Sequence, residues 1–286
     1  MKDRSMLLFT PIVLGLSALW ADSKDADVEI REKIVYSKAG DRELLLDAFV
    51  PKREGDLPAV LVVHGGAWRS GNRQQLRTYA KELAMRGMVC FAIDYRLAPE
   101  HKFPAQIEDC REAVKWIRAN ATEYKVDTER LGAIGYSAGG HLVCLLATTG
   151  EKPNEKNGNM DTRIKAAAAG GAPTDFRSFP DNGKWAEYWM GGDLKSCPDL
   201  FRDASATAFV DKEDAPVFFF NGTVDKVVPM VWSQSCFDAL KSSGVKTEMH
   251  TIEGAGHMEA ARDTVALEKA FAFLEAELKI DSTSSR

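Results

Sequence analysis

Positive charge is not in excess in this chain. Lysine and arginine number 37 against 42 aspartates and glutamates, a formal net charge of −5 over 286 residues. That argues against a nucleic-acid partner, which needs a basic face. Cysteine is scarce: five residues, an odd number, with no CxxC pair. Nothing here demands a disulfide, although export permits one among Cys110, Cys197 and Cys236. Cys90 and Cys144 lie inside apolar runs and read as small core residues. Histidine is equally rare, at five, and no cluster has metal-ligand spacing, so no metal site is expected. Internal repeats and composition shifts that would mark a domain boundary are missing. The N-x-T sequons at Asn120 and Asn221 read as chance matches, since Asn221 closes an apolar run where a glycan has no room.

One apolar run precedes the folded part: "MLLFTPIVLGLSALWA", after Lys2 and Arg4. It is short for a span of about 20 apolar residues. With small residues near its end, it reads as a signal peptide over residues 1–21, cut after Ala21. The expected mature protein is secreted or periplasmic, without membrane contact.

Residues 22–30 read as a polar linker. Two strand-like runs, "EKIVYSK" and "RELLLDAFV", flank "AGD", a hairpin turn. From Pro58 the pattern changes. "PAVLVVHGG" and "MVCFAIDYR" are continuous apolar strands of the kind buried on both faces of a parallel sheet. "RQQLRTYAKELAMRG" and "PAQIEDCREAVKWIRANA" have helical spacing. Strand and helix keep alternating through "LGAIGYS", "AGGHLVCLLATT", "IKAAAAGG", "APVFFFNG", "KTEMHTIEG" and "ALEKAFAFLEAEL". The expected fold is a single α/β domain over residues 31–280. A mostly parallel sheet carries helices on both faces and an antiparallel N-terminal edge hairpin. Residues 281–286 read as a disordered tail. Residues 173–212 interrupt the rhythm and gather Trp185, Tyr188 and Trp189.

In such a sheet, chemistry collects at the carboxyl ends of the strands. Ser137 falls there, in "GYSAG", the pattern G-x-S-x-G between a buried strand and a helix. A serine needs a base. His257, in "EGAGHM" past the last strand, suits that role, whereas His250 sits mid-strand and His64 and His141 lie in other motifs. The base needs an acid, and the order Ser…Asp…His favours Asp225 in "GTVDKVVP" over its rival Asp175. "HGGAW" ends the first parallel strand and supplies an oxyanion loop, with the amides of Gly66 and Ala67 joined by that of Ala138. His64 is expected to fix this loop. Trp68 braces the loop or walls the pocket. Trp185, Tyr188 and Trp189 are either an aromatic wall against substrate or packing of the inserted segment.

In order along the chain, "HGGAW", "DYRLAPEHKFPAQIEDC", "GYSAGG", "GTVDKVVP" and "GAGH" resemble the α/β-hydrolase superfamily. The pattern is similar to carboxylesterases of the hormone-sensitive-lipase type. It is closer to the branch with bifunctional feruloyl and acetyl-xylan esterases, through "FPAQIED" and "SAGGHL". The resemblance implies catalytic Ser137, Asp225 and His257, no cofactor, and scaffold roles for Asp94, Tyr95 and Arg96. The chain departs from it at Tyr136, where many relatives carry aspartate, and at Ala67, which replaces a third glycine. It also lacks a long N-terminal cap. These departures favour an open, shallow site over a bulky lipid substrate. The expected function is a secreted serine carboxylesterase acting on short-chain or carbohydrate-linked esters, acetyl or feruloyl, with small-molecule or polysaccharide substrates. An arylformamidase or amidase on the same triad is the alternative, and a non-catalytic binding protein the other class. Nothing selects an oligomeric state.

Overall fold

The structure is a computed structural model that describes residues 27–153, 160–177 and 184–280, with the side chains of 184–186 outside that set. The expected signal peptide and the C-terminal tail lie outside the described residues. Eight strands form one sheet: β1 (Val28–Ala39), β2 (Arg42–Pro51), β3 (Leu57–Val63), β4 (Val89–Ile93), β5 (Val126–Tyr136), β6 (Ala166–Gly170), β7 (Val217–Gly222) and β8 (Thr247–Ile252). Their order is β1-β2-β4-β3-β5-β6-β7-β8. β1 and β2 form an antiparallel hairpin, β2 pairs antiparallel with β4, and every later pairing is parallel. The expected architecture is therefore the observed one. One boundary needs correction: β1 begins at Val28, inside the stretch read as linker. Its charged residues are exposed at the sheet edge, and that disguised the strand.

The central strands are apolar throughout because both their faces are covered. Along β7, Phe219 enters one core while Phe218 and Phe220 enter the other, as the two-residue period of a strand requires. On the first face lie α2 (Ala105–Ala119), α4 (Ala138–Thr149) and α7 (Val231–Ser242), which contribute Ile107, Leu142 and Leu240. On the second face, α1 (Arg77–Met85) and α9 (Thr264–Glu277) contribute Leu83 and Leu274. Short helices complete the chain: α3 (Ala121–Tyr124), α5 (Lys184–Trp189), α6 (Pro198–Asp203) and α8 (His257–Ala260).

Charged side chains fix the loops at the carboxyl edge of the sheet. Arg73 bridges Asp47 at 2.8 Å and Asp94 at 2.7 Å. Arg96 binds Asp109 at 2.7 Å, and its own amide donates to the same carboxylate at 2.7 Å. Asp109 is only 2% exposed. Burial raises its pKa, and the Arg96 contacts oppose that shift. Tyr95 donates to the carbonyl of His64 at 3.0 Å. All five cysteines are free thiols, and all but Cys197 are buried.

Two histidines are buried without a carboxylate partner. His141 receives a hydrogen bond from Trp68 Nε1 at 3.1 Å on Nδ1, and its Nε2 donates to the carbonyl of Ala204 at 2.7 Å. Burial pushes its pKa down to about 4, and does the same to His64.

Two outcomes follow from these contacts. Arg96→Ala leaves a buried carboxylate unpaired and is expected to cost about 3 kcal/mol, read as a lower urea midpoint. A loss under about 1 kcal/mol would mean that other donors satisfy Asp109. The histidines set an acid dependence. Between pH 6.5 and about 4 the unfolded chain binds protons that folded His64 and His141 refuse. Stability therefore falls as pH drops through that window, by up to about 1.4 kcal/mol per pH unit for each histidine. His141→Gln should make the slope of unfolding free energy against pH shallower by about that amount, and an unchanged slope contradicts the assignment.

Candidate active site

Ser137 stands between β5 and α4 with φ 57° and ψ −122°, a backbone region costly for a side chain. The turn closes only because its neighbours lack side chains. A Cβ on Gly135 would lie 2.3 Å from the carbonyl oxygen of Gly139, and one on Gly139 would lie 2.0 Å from that of Val63. The spacing of the motif is thus a steric requirement. The amide of Ser137 donates to Gly170 at 2.8 Å, anchoring the turn to β6. Ala138 opens α4, so its N–H has no intrahelical acceptor.

The "HGGAW" loop follows β3 and meets this elbow. A Cβ on Gly65 would stand 3.3 Å from that of Ser137. Gly66, Ala67 and Trp68 all have positive φ, at 112°, 51° and 58°. The carbonyl of Gly66 is held from behind by the amides of Arg69 and Ser70, at 3.1 and 3.0 Å. Among the described residues, the amides of Gly66 and Ala67 donate to no protein acceptor. His64 sits beneath the loop: Nδ1 donates to the carbonyl of Gly65 at 2.7 Å, and the ring stacks on Tyr95 at 4.1 Å. With its pKa near 4 and this inward position, it serves the loop's shape.

Asp225 and His257 lie in the loops after β7 and β8. Asp225 Oδ2 accepts from His257 Nδ1 at 2.6 Å. Its other oxygen accepts the amides of Val227 and Val228, both at 2.8 Å. The carboxylate is fully buried, and the imidazole is 9% exposed. A proton held on Nδ1 leaves Nε2 with its lone pair free to take another. Ser137 and His257 flank one dipeptide: Gly170 binds the Ser137 amide, and a Cβ on Gly171 would stand 3.0 Å from His257 Cε1. Asp175, the rival acid, is instead bound by Arg177 at 2.6 Å. His250 faces Lys269 on the exposed edge strand.

A cavity of about 180 Å³ opens beside Ser137, bordered by Ala67 and Ala138. Trp68, Phe176, Tyr188, Trp232, Val227 and Val228 give it apolar walls. Phe176 and Val227 lie in connections without periodicity and were not singled out in the sequence, nor was Trp232, which sits in the first turn of α7; the "VVP" after Asp225 was the available signal. A larger cleft of about 590 Å³ lies at the amino ends of β5, β6 and β7, lined by paired charges such as Arg163 and Asp161. It is remote from Ser137 and holds no nucleophile with a base.

One expected substrate contact is corrected. Trp189 is 0% exposed and stacks flat on Trp68, with centroids 3.6 Å apart. Its indole N–H donates to Gln106 at 3.1 Å. It is a core residue behind Trp68, because a buried indole with its one donor satisfied has no face for a ligand. Trp68 itself borders the cavity, and the side chain of Trp185 lies outside the described residues.

Comparison with known proteins follows this geometry. Residues 46–240 match the family model described as BD-FAE. Esterase LipC of Mycobacterium tuberculosis is 32% identical over 241 residues, which is 79% of this chain and 59% of LipC. The chain spans between half and three-fifths of the length of the curated relatives it matches. Among solved structures, the bifunctional GH43-CE of Bacteroides eggerthii is 28% identical with a TM-score of 0.77, covering 87% of this chain and 38% of that one. The thermophilic esterase Est2 of Thermogutta terrifontis, solved with butyrate bound, is 25% identical with a TM-score of 0.73, covering 88% and 94%. With the model match extending over most of the sheet, the chain belongs to the BD-FAE family, within the α/β-hydrolase esterases.

Proposed function

We propose that this protein is a serine carboxylesterase that hydrolyses esters of short or single-ring acyl groups. The observation that carries the reading is the 2.6 Å contact between His257 Nδ1 and buried Asp225 beside the Ser137 elbow. Ser137 Oγ attacks the ester carbonyl carbon while His257 Nε2 takes its proton. Asp225 holds the tautomer and stabilises the imidazolium. The tetrahedral oxyanion is met by the amides of Gly66, Ala67 and Ala138, each such donor being worth about 3 kcal/mol in the transition state. Collapse expels the alcohol, which takes its proton from His257 and leaves an acyl-Ser137. Water, deprotonated by the same histidine, then releases the acid.

The cavity bounds the acyl group. Its volume of about 180 Å³ is close to the ~150 Å³ of an apolar cavity that holds benzene. A short aliphatic chain or one aromatic ring fits there, and a long chain does not. The alcohol side adjoins His257, since that residue must protonate the leaving oxygen. Est2 has been solved with butyrate and with propionate bound, in line with short acyl groups. Membership of the BD-FAE family and the likeness to a GH43-CE protein support a carbohydrate as the alcohol. An acetyl group satisfies the volume, whereas a feruloyl group, which has more non-hydrogen atoms than octanoyl, overfills it.

The test is a series of esters sharing one leaving group, with acetyl, butyryl, octanoyl and feruloyl acyl parts. Wild-type kcat/KM for the acetyl ester should exceed that for octanoyl at least about tenfold, the worth of 1.4 kcal/mol in the transition state. Ser137→Ala should reduce every member by roughly 10⁴-fold or more. Octanoyl as the preferred ester would overturn the acyl assignment. Equal turnover by Ser137→Ala would overturn the mechanism.

A further inference from the structure

We infer that Tyr136 is a positioning residue for His257, its hydroxyl tethering the backbone of the base to the strand that carries the nucleophile. This rests on the reading of Ser137 and His257 given above. Tyr136 ends β5 and immediately precedes Ser137. Its hydroxyl donates to the main-chain carbonyl of His257 at 2.5 Å. The two rings lie 5.1 Å apart, tilted by 52°. Tyr136 is 5% exposed and is packed on its other side by Phe220, at 5.8 Å. Burial raises the pKa of the phenol, so the hydroxyl is a donor.

The surroundings are shaped for this contact. Gly170, the last residue of β6, pairs with the tyrosine, and Gly171 follows it. A Cβ on Gly170 would lie 2.5 Å from Tyr136 Cδ2, and one on Gly171 would lie 3.0 Å from both the Tyr136 hydroxyl oxygen and His257 Cε1. The segment around His257 is anchored at Gly254 by Thr223 Oγ1 at 2.9 Å, at the Ala255 carbonyl by the Val224 amide at 3.1 Å and at the Ala261 carbonyl by the Tyr79 hydroxyl, and the Tyr136 hydroxyl adds an anchor on His257 itself. α8 is four residues long, and the second donor to the His257 carbonyl, the amide of Ala261, is distant at 3.4 Å. Asp225 holds the ring at Nδ1. A tether on the backbone fixes the position from which the imidazole reaches that contact. It also makes the Ser137–His257 geometry depend on one short covalent and hydrogen-bonded path: Ser137, Tyr136, its hydroxyl, His257. A phenylalanine keeps the packing and loses the path.

The test is Tyr136→Phe in the full chain, assayed on 4-nitrophenyl acetate beside Ser137→Ala and His257→Ala. The expected result is a kcat lower by about five- to tenfold, the size of one neutral hydrogen bond, with KM within about twofold. The low-field NMR resonance of the His257 Nδ1 proton should broaden or exchange faster with water, while thermal unfolding keeps a single transition. A kcat within about twofold of wild type, with that resonance unchanged, overturns the tether. So does a parallel loss of kcat, folding and His-proton signal, which marks Tyr136 as packing alone. If Ser137→Ala or His257→Ala retains activity, the underlying catalytic reading fails instead. Dead Ser137→Ala and His257→Ala beside an unaffected Tyr136→Phe would sink only the tether.

Discussion

The arrangement depends on one steric constraint, the close contact of backbone with backbone at the Ser137 elbow. Gly139 lies against the carbonyl of Val63, and Gly135 against that of Gly139, at separations no side chain allows. β5, the start of α4 and the end of β3 therefore form one unit. That unit holds Ser137 at φ 57°, which an unsupported serine would not keep. The cost is borne by the buried sheet on either side. Every site residue then follows from the carboxyl-edge position of the strand before it.

A second layer ties the "HGGAW" loop to the elbow. His141 is one turn into α4, and its amide donates to Ser137 at 2.9 Å. Its ring accepts from Trp68, which belongs to the loop after β3. Trp68 in turn stacks on Trp189 from the inserted segment. Loop, α4 and insertion are thus packed through one aromatic stack, with Phe176 at its edge. The cavity beside Ser137 is the exposed rim of that stack. A rigid apolar wall of this kind discriminates by volume, and this underlies the short-acyl reading.

Much of this was legible in the sequence, for physical reasons. Buried parallel strands are apolar on both faces, so "AVLVV" and "VFFF" announce themselves. The elbow is legible because its glycines are sterically required. The choice of Asp225 over Asp175 followed chain order, and the structure brings Asp225 to His257 while Arg177 occupies Asp175. Other features had no local signal. Trp189 and Trp68 look alike in sequence, and only the packing shows that one is buried behind the other. β1 was clipped at its start because an edge strand exposes its charges and resembles a linker. Tyr136 stood out as a departure from relatives, but its contact spans 121 residues and is invisible to any local pattern.

The central claim is that Ser137 is an activated nucleophile and His257 its activator. The most direct measurement is covalent labelling with a fluorophosphonate, followed by peptide mass spectrometry. Wild type should be modified once, on the peptide bearing Ser137, and His257→Ala should label slower by roughly 10³-fold or more. Labelling at another residue, or an equal rate in His257→Ala, would contradict the account.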